Sequence, residues 1–243
     1  GDRTYASALA LSFQGLTAQD NRNRIPTVLP YLLFAYESRP GWRNSRFTLD
    51  ANALSLYRDT GDNSRRLATT WGWNLPYMTQ NGQIMELRTQ LRADGYSVDD
   101  VTLGNGQNFN GTTGRVVPQV SLNWRWPFLT RNDYGSLILE PIVMLAASPG
   151  GGNPESIPNE DSVAPEFTDT NLFDPNRYAG YDRIENGPRA SYGLRGQAQT
   201  DNTYVDWLVG QNYRVNNDGT FPYSNDPDSY LSDYVGKVGV TYD

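Results

Sequence analysis

The sequence predicts an all-β fold, an antiparallel transmembrane β-barrel built as a meander of about ten strands. Three features lead to this prediction: apolar and polar residues alternate along successive segments, the connections alternate in length, and aromatic residues gather at corresponding segment ends. The composition agrees, because the mean hydropathy is -0.63 although the 243 residues include 16 Tyr and 6 Trp. A wall with one lipid-facing side and one polar side has this character.

Segment 85–94 shows the alternation most clearly, since its odd-numbered residues are apolar or small and its even-numbered residues are charged or amide. On a strand, the two sets point to opposite faces. Pro30 cannot donate to a ladder, so a bulge or an edge is expected near it. The predicted strands are 4–15, 26–37, 45–58, 66–77, 85–94, 115–127, 135–147, 189–199, 203–214 and 231–242.

The connections fall into two classes of length. Those after odd-numbered strands are mostly long, at 16–25, 59–64, 97–113, 148–188 and 215–229. Those after even-numbered strands are short, at 38–43, 78–83, 128–133 and 200–202. Long loops on one rim and tight turns on the other are typical of outer-membrane barrels, with the long loops outside the cell. The stretch 148–188 is therefore predicted to be a long extracellular loop.

Aromatic residues support the same orientation. Trp71, Trp73, Trp124 and Trp126 come late in even-numbered strands, where an aromatic belt on the periplasmic side would lie. The alternative interpretation is a soluble β-sandwich with these aromatic residues in its core.

The composition also excludes several classes of chemistry. A net charge of -7 argues against nucleic-acid binding, which requires basic surface. The absence of His and Cys excludes Ser-His-Asp and Cys-His nucleophilic sites, and we predict no enzyme, cofactor or metal centre. No stretch approaches the length of a membrane-spanning helix. The sequence starts without a leader pattern, so a processed or excised fragment is expected.

An ordered series of motifs is more specific than the composition. Asn-Arg-Tyr-Ala-Gly-Tyr-Asp-Arg at 176–183 lies in the long loop, after a Glu140-Pro141 strand and before Gly-Gln-Asn-Tyr at 210–213. Three further stretches belong to the series, at 25–30, 157–162 and 171–173. The order closely resembles that of the LptD family, whose members deliver lipopolysaccharide to the cell surface. The likeness spans nearly the whole chain and places it in the central part of the family barrel.

This resemblance implies a transporter of the bacterial outer membrane. The lipid's sugar would pass through a polar lumen while its acyl chains leave sideways into the membrane. Implied partners are lipopolysaccharide, outer-membrane lipids, a lipoprotein plug of the LptE type and periplasmic bridge proteins. The alternatives from the residues alone are a general diffusion porin, which shares every barrel feature except the motif series, and a soluble β-sandwich that binds glycans.

Two sets of residues are candidates for a site. The first would anchor the long loop over the barrel mouth: Asn176, Arg177, Gly180, Asp182 and Arg183. Gly180 suits a left-handed turn, and the charged members can form charge-assisted hydrogen bonds. Residues 171–186 are accordingly expected to be ordered, and 148–155 mobile. The alternative is that these are ordinary loop charges.

The second set consists of arginines predicted to face the lumen: Arg66, Arg88, Arg92 and Arg125. Guanidinium groups there could contact lipid phosphates. Alternatively, they balance Glu86, Asp94 and Glu140 across neighbouring strands.

Overall fold

The computed structural model describes residues 3–17, 19–163, 166–216 and 229–242. These residues form eleven strands in one antiparallel sheet, which confirms the predicted all-β meander. The strands are β1 (Arg3–Ser12), β2 (Thr27–Glu37), β3 (Arg46–Tyr57), β4 (Asn63–Met78), β5 (Ile84–Thr102), β6 (Asn108–Arg125), β7 (Phe128–Asn132), β8 (Gly135–Ala147), β9 (Arg189–Gln199), β10 (Thr203–Arg214) and β11 (Val235–Tyr242). Two short 3-10 helices span Arg22–Arg24 and Trp42–Asn44. Over the described ranges, the chain forms no helix with the length and apolar character needed to cross a membrane.

The strands pair in sequence order, except that β7 forms a hairpin with β8 and leaves β8 paired to β6 as well. β1 and β11 are the edge strands of the sheet, and no pairing within the described part of the chain joins them. The sheet is therefore open. Near Pro30, the pairing of β2 shifts register between Val28 and Tyr31, the irregularity expected at a residue without an N–H.

Two predicted connections were wrong. The link at 128–133 contains β7, a five-residue strand that is too short to show a convincing alternation. The loop at 97–113 shrinks to 103–107, because β5 and β6 continue past their predicted ends. A register shift between Val98 and Val101 absorbs the irregularity in β5. Most of the predicted loop 215–229, namely 217–228, lies outside the described residues.

Because all neighbouring strands are antiparallel, the connections alternate between two rims. We call the rim that carries 58–62, 103–107 and 148–188 the loop rim, and the rim that carries 38–45, 79–83 and 200–202 the turn rim. Two contacts join connections across the loop rim: the Gly104 N–H donates to Glu155 at 3.1 Å, and Arg58 pairs with Glu160 at 2.5 Å. These three connections thus share one rim. The predicted difference in length rests on 148–188, because 58–62 and 103–107 are no longer than 79–83 on the turn rim.

In a soluble protein the buried face of a sheet is apolar and the exposed face is polar. In this sheet the exposed face is apolar and the covered face is polar. The outer face presents exposed apolar residues, so that Leu67 is 57% exposed, while its neighbour Arg66 on the inner face is 4% exposed. Exposed apolar residues on the outer face include Trp71, Leu91, Val116, Val120 and Leu145. Buried polar residues on the inner face include Arg92, Asp94, Arg115, Gln119 and Glu140. A lipid-facing outer side explains this inversion.

This arrangement predicts a face-specific response in β5. Leu91→Arg places a charge on the outer face and should cost roughly 2–4 kcal/mol of folding free energy at mid-bilayer depth. Gln90→Arg, the matched control one residue away on the inner face, should cost much less. Urea titration of the protein in phospholipid vesicles measures both, and equal effects would contradict a lipid-facing outer side.

Candidate functional site

The candidate site is the interface between the inner face and residues 148–188, which we call the covering loop. Residues 164 and 165 of this loop lie outside the described part. Its buried apolar side chains explain why it folds back: Ile157 and Leu172 are fully buried, and Ile184 is nearly so. Ile157 packs with Tyr96, Val98 and Val101 near the loop-rim end of β5. A loop of this length is tolerated when it buries such surface.

Arg66 in β4 joins the wall to the covering loop. Its guanidinium lies 2.6 Å from the Asp182 carboxylate and 2.8 Å from that of Asp161. From the wall side, the Asn52 side chain of β3 accepts from Arg66 Nε at 3.0 Å. The side chains of Arg66 and Asp182 are 1% and 2% exposed. A charge this deeply buried requires a partner, and the loop supplies it.

The same carboxylates hold two segments of the covering loop together. The second oxygen of Asp182 accepts the Glu160 N–H at 2.8 Å, and Asp161 Oδ1 accepts the Tyr181 N–H at 2.9 Å. Gly180 has a φ of +74°, and a Cβ there would lie 2.4 Å from the Asp161 carbonyl oxygen. Glycine is therefore required both for its conformation and for the close approach.

Tyr181 lies between guanidinium groups of the wall. Its ring centroid is 5.1 Å from the Arg66 Cζ and 5.7 Å from the Arg92 Cζ. Its carbonyl oxygen accepts from Arg92 and, at 2.6 Å, from Arg115. Arg92 and Arg115 also pair with Asp94 at 2.8 and 2.6 Å. The cluster is thus a network in which backbone carbonyls and carboxylates surround three arginines.

A second buried cluster holds the other end of the covering loop. The Glu185 carboxylate pairs with Arg177 at 2.9 Å and with Arg189 of β9 at 3.2 Å, and all three side chains are fully buried. Arg177 also donates to the Ser191 hydroxyl at 3.0 Å. Ser191 in turn accepts from the Asn212 amide of β10 at 2.7 Å. Residues of β9 and β10 therefore fix the return of the loop into the sheet.

Burial and charge act in opposite directions on two carboxyl groups of the covering loop. Burial raises the pKa of Glu160 above its ordinary value, and the contact with Arg58 only partly offsets this. Burial also acts to raise the pKa of Asp161, but the Arg66 charge and the Tyr181 N–H outweigh it and hold that pKa below its ordinary value. Of the two carboxyl groups, Asp161 therefore keeps its negative charge to lower pH.

The structure brings the first set of candidate residues together at this interface. Besides the contacts of Arg177, Gly180 and Asp182, the Asn176 side chain accepts the Glu185 N–H at 2.9 Å, and Arg183 donates to the Ile157 carbonyl at 2.9 Å. Each contact joins separate parts of the covering loop or joins it to the wall.

The second set divides into two pairs. Arg66 and Arg92 lie under the covering loop, whereas the side chains of Arg88 and Arg125 are 41% and 46% exposed below it. Three of the four contact carboxylates that they were expected to balance across neighbouring strands. Arg88 with Glu86 at 2.8 Å and Arg92 with Asp94 at 2.8 Å pair within β5, and Arg125 with Glu140 at 3.6 Å pairs between β6 and β8. Arg66 instead pairs with the covering loop.

Four residues of the interface were not among the candidates: Asn52, Arg115, Asp161 and Glu185. Asp161 lies in the motif stretch 157–162, but its sequence position does not indicate a contact with Arg66. Arg115 lies at the start of a predicted strand, but nothing local shows that its Nη1 donates to the Gly152 carbonyl at 3.0 Å. Asn153, in the stretch expected to be mobile, accepts the Ile184 N–H at 2.9 Å. These contacts arise only when the covering loop folds back over the inner face.

Comparison with known families gives one finding. The family model named LptD, LPS transport system D, matches residues 1–243. Comparison with curated proteins gave no match. The family match includes the covering loop and both rims.

The Arg66 contacts predict a measurable loss in loop stability. Asp182→Asn leaves the buried Arg66 guanidinium with only the Asp161 carboxylate. The free energy of loop opening should therefore fall by about 3 kcal/mol, which is the lower end of the cost of breaking a buried ion pair. Hydrogen exchange at the Tyr181 and Asp182 backbone amides measures this opening. Asp206→Asn is the control, because Asp206 pairs with Lys237 at 3.8 Å on a partly exposed surface. Equal protection in both variants would contradict the role given to Asp182.

Proposed function

Since the chain belongs to the LptD family over its whole length, residues 1–243, we propose that it forms part of a barrel delivering lipopolysaccharide to the outer leaflet of the outer membrane. The family is a component of lipopolysaccharide transport at the outer membrane and is not an enzyme family. The match does not support a general diffusion porin. The described strands form one sheet without a second packed layer, which disfavours a glycan-binding sandwich.

The two edge strands, β1 and β11, require pairing partners in a membrane. In hydrocarbon, an unpaired N–H or C=O group has no water to bond with, so open sheet edges are not tolerated there. We infer that further strands pair with β1 and β11 and that the described sheet is a section of a larger wall. An LptE-type lipoprotein plug and periplasmic bridge proteins remain proposed partners within the transport system.

Within this barrel, we propose that the covering loop is a permanent seal on the loop-rim side of the lumen. The observation that supports this most directly is the pairing of buried loop charges with wall charges, above all Arg66 with Asp182 at 2.6 Å. Lifting the loop would separate Arg66 from Asp182 and Asp161, and Arg189 from Glu185. It would also expose Ile157 and Leu172. Because this is costly, the loop anchor is a poor candidate for an element that opens in every transport cycle.

Lipopolysaccharide would therefore leave the lumen sideways, with its sugar below the covering loop. The inner face there carries exposed Arg88 and Arg125, together with Arg195, which is 40% exposed and contacts Glu140 at 3.4 Å. We propose that Arg88 and Arg125 exchange their carboxylate contacts for lipid phosphates during passage.

A disulfide that locks the covering loop tests the seal. The hydroxyls of Thr113 in β6 and Ser156 in the loop lie 2.7 Å apart, so cysteines at both positions are close enough to bridge, and this stretch has no native cysteine. In the full-length protein, Thr113→Cys with Ser156→Cys should leave surface delivery of lipopolysaccharide unchanged after oxidation. A loop that opens for transport would instead stop delivery until a reductant is added.

The locked variant needs two controls. Each single cysteine variant shows whether the substitution alone impairs delivery. Asp182→Asn, which loosens the same loop, should raise permeability to large antibiotics in the unlocked protein. Unchanged permeability in Asp182→Asn would contradict a sealing role even where delivery continues.

The exposed arginines have a separate test. Arg88→Gln with Arg125→Gln should slow the appearance of surface lipopolysaccharide by about fivefold, since two partly exposed charge contacts of ~0.5 kcal/mol each sum to ~1 kcal/mol. Arg65→Gln is the matched control, because Arg65 is an exposed arginine on the outer face of the sheet, in β4. Equal rates in the two variants would remove Arg88 and Arg125 from the transport path and leave them as balancing charges.

A further inference from the structure

The outer face is not uniformly flat near the turn rim. A groove of about 550 Å³ runs across β3, β4 and β5 there. Its walls are apolar and mostly aromatic, formed by Tyr36, Phe47, Leu49, Trp71, Trp73 and Leu91. The small side chain of Thr89, opposite Trp73 on the neighbouring strand, leaves room between the larger ones. Phe47 is 61% exposed and Trp71 is 55% exposed, so their surfaces are open to whatever surrounds the barrel.

The turn that ends next to this groove is strongly basic. Residues 37–46 include three arginines and one glutamate, in a chain whose net charge is -7. Arg46 shares Glu37 with Arg3, whereas the Arg43 Cζ lies 4.9 Å from the ring centroid of Trp42. Trp42 is 66% exposed. The 3-10 helix Trp42–Asn44 packs against β4, the strand that carries Trp71 and Trp73.

We propose that this groove and turn together bind one anionic glycerophospholipid of the inner leaflet. An acyl chain lies between Phe47, Trp71 and Trp73, and the phosphate lies beside Arg43. The proposal assumes the outer-membrane location of the family, with the turn rim toward the periplasm, but it is independent of the sealing role of the covering loop.

Two physical arguments favour this occupant. In a bilayer the solvent of this face is itself apolar, so burial alone gives no preference for one lipid, and selectivity has to come from packing and charge. A concave aromatic surface contacts a chain on several sides and gains more dispersion contacts than a flat wall does. A guanidinium at the membrane surface then favours an anionic over a zwitterionic head group. Trp42 lies where interfacial aromatic residues are usually found.

The hairpin of β7 and β8 on the same rim provides the contrast. It also exposes apolar side chains, with Leu129 at 68%, but its single cation, Arg131, is followed by Asp133. Residues 126–134 are therefore neutral, which makes this hairpin a suitable source of control variants.

Native mass spectrometry of the full-length protein, delipidated in detergent and titrated with phosphatidylglycerol or phosphatidylcholine, tests the proposal. The unmodified protein should retain one phosphatidylglycerol in preference to phosphatidylcholine. Arg43→Gln should lower retention of phosphatidylglycerol by about fivefold, the effect of one interfacial cation, with phosphatidylcholine little changed. Trp73→Ala should lower retention of both lipids, because it removes a wall of the groove.

Arg131→Gln and Leu129→Ala should leave retention as in the unmodified protein. Equal losses in Arg43→Gln and Arg131→Gln, or equal retention of the two phospholipids, would overturn the proposal. Retention of co-purified lipopolysaccharide in place of phosphatidylglycerol would also overturn it. Arg43 lies on an exposed turn, so its substitution keeps the test informative if Trp73→Ala fails to fold.

Discussion

The contact of Arg66 with Asp182 and Asp161 is the interaction on which the arrangement of the inner face depends. A barrel wall can carry a guanidinium on its inner face at little cost while the lumen is wet. Once residues 148–188 cover that face, the same group is removed from water and needs anionic partners at short range. Asp182 and Asp161 meet that need, and through them the Gly180 turn and the Tyr181 carbonyl take up their positions beside Arg92 and Arg115.

This network determines where the loop lies more than how strongly it is held. The desolvation cost of a buried ion pair is comparable to its attraction, so the net stabilisation from Arg66, Arg177 and their carboxylates is small. Removing one partner is costly, however, because the other charge stays buried. Alternative positions of the loop are therefore excluded, while the apolar side chains of Ile157 and Leu172 supply the favourable burial.

The period-two pattern was sufficient to predict ten of the strands, since a strand with one lipid-facing side repeats its polarity at every second residue. It failed for β7, which has five residues, and for the extensions of β5 and β6 beyond a register shift. The loop residues 176–183 were recognised as a unit through the family resemblance. Their partners Asn52 and Arg115 were not, because a contact between residues far apart in sequence leaves no local pattern.

β4 links the two faces of the wall. Near the loop rim it places Arg66 inward, against the covering loop, and near the turn rim it places Trp71 and Trp73 outward, beside the groove. Strand periodicity makes these positions interdependent, because a shift of one residue in the pairing of β4 would turn Arg66 toward lipid and the tryptophans toward the lumen. The Arg66–Asp182 contact and the aromatic groove therefore select the same register from opposite faces. The pairing of Leu54 with Arg66 and of Phe47 with Trp73 fixes this register. It places the Arg66 charge under the covering loop and the aromatic groove on the face that a lipid would occupy.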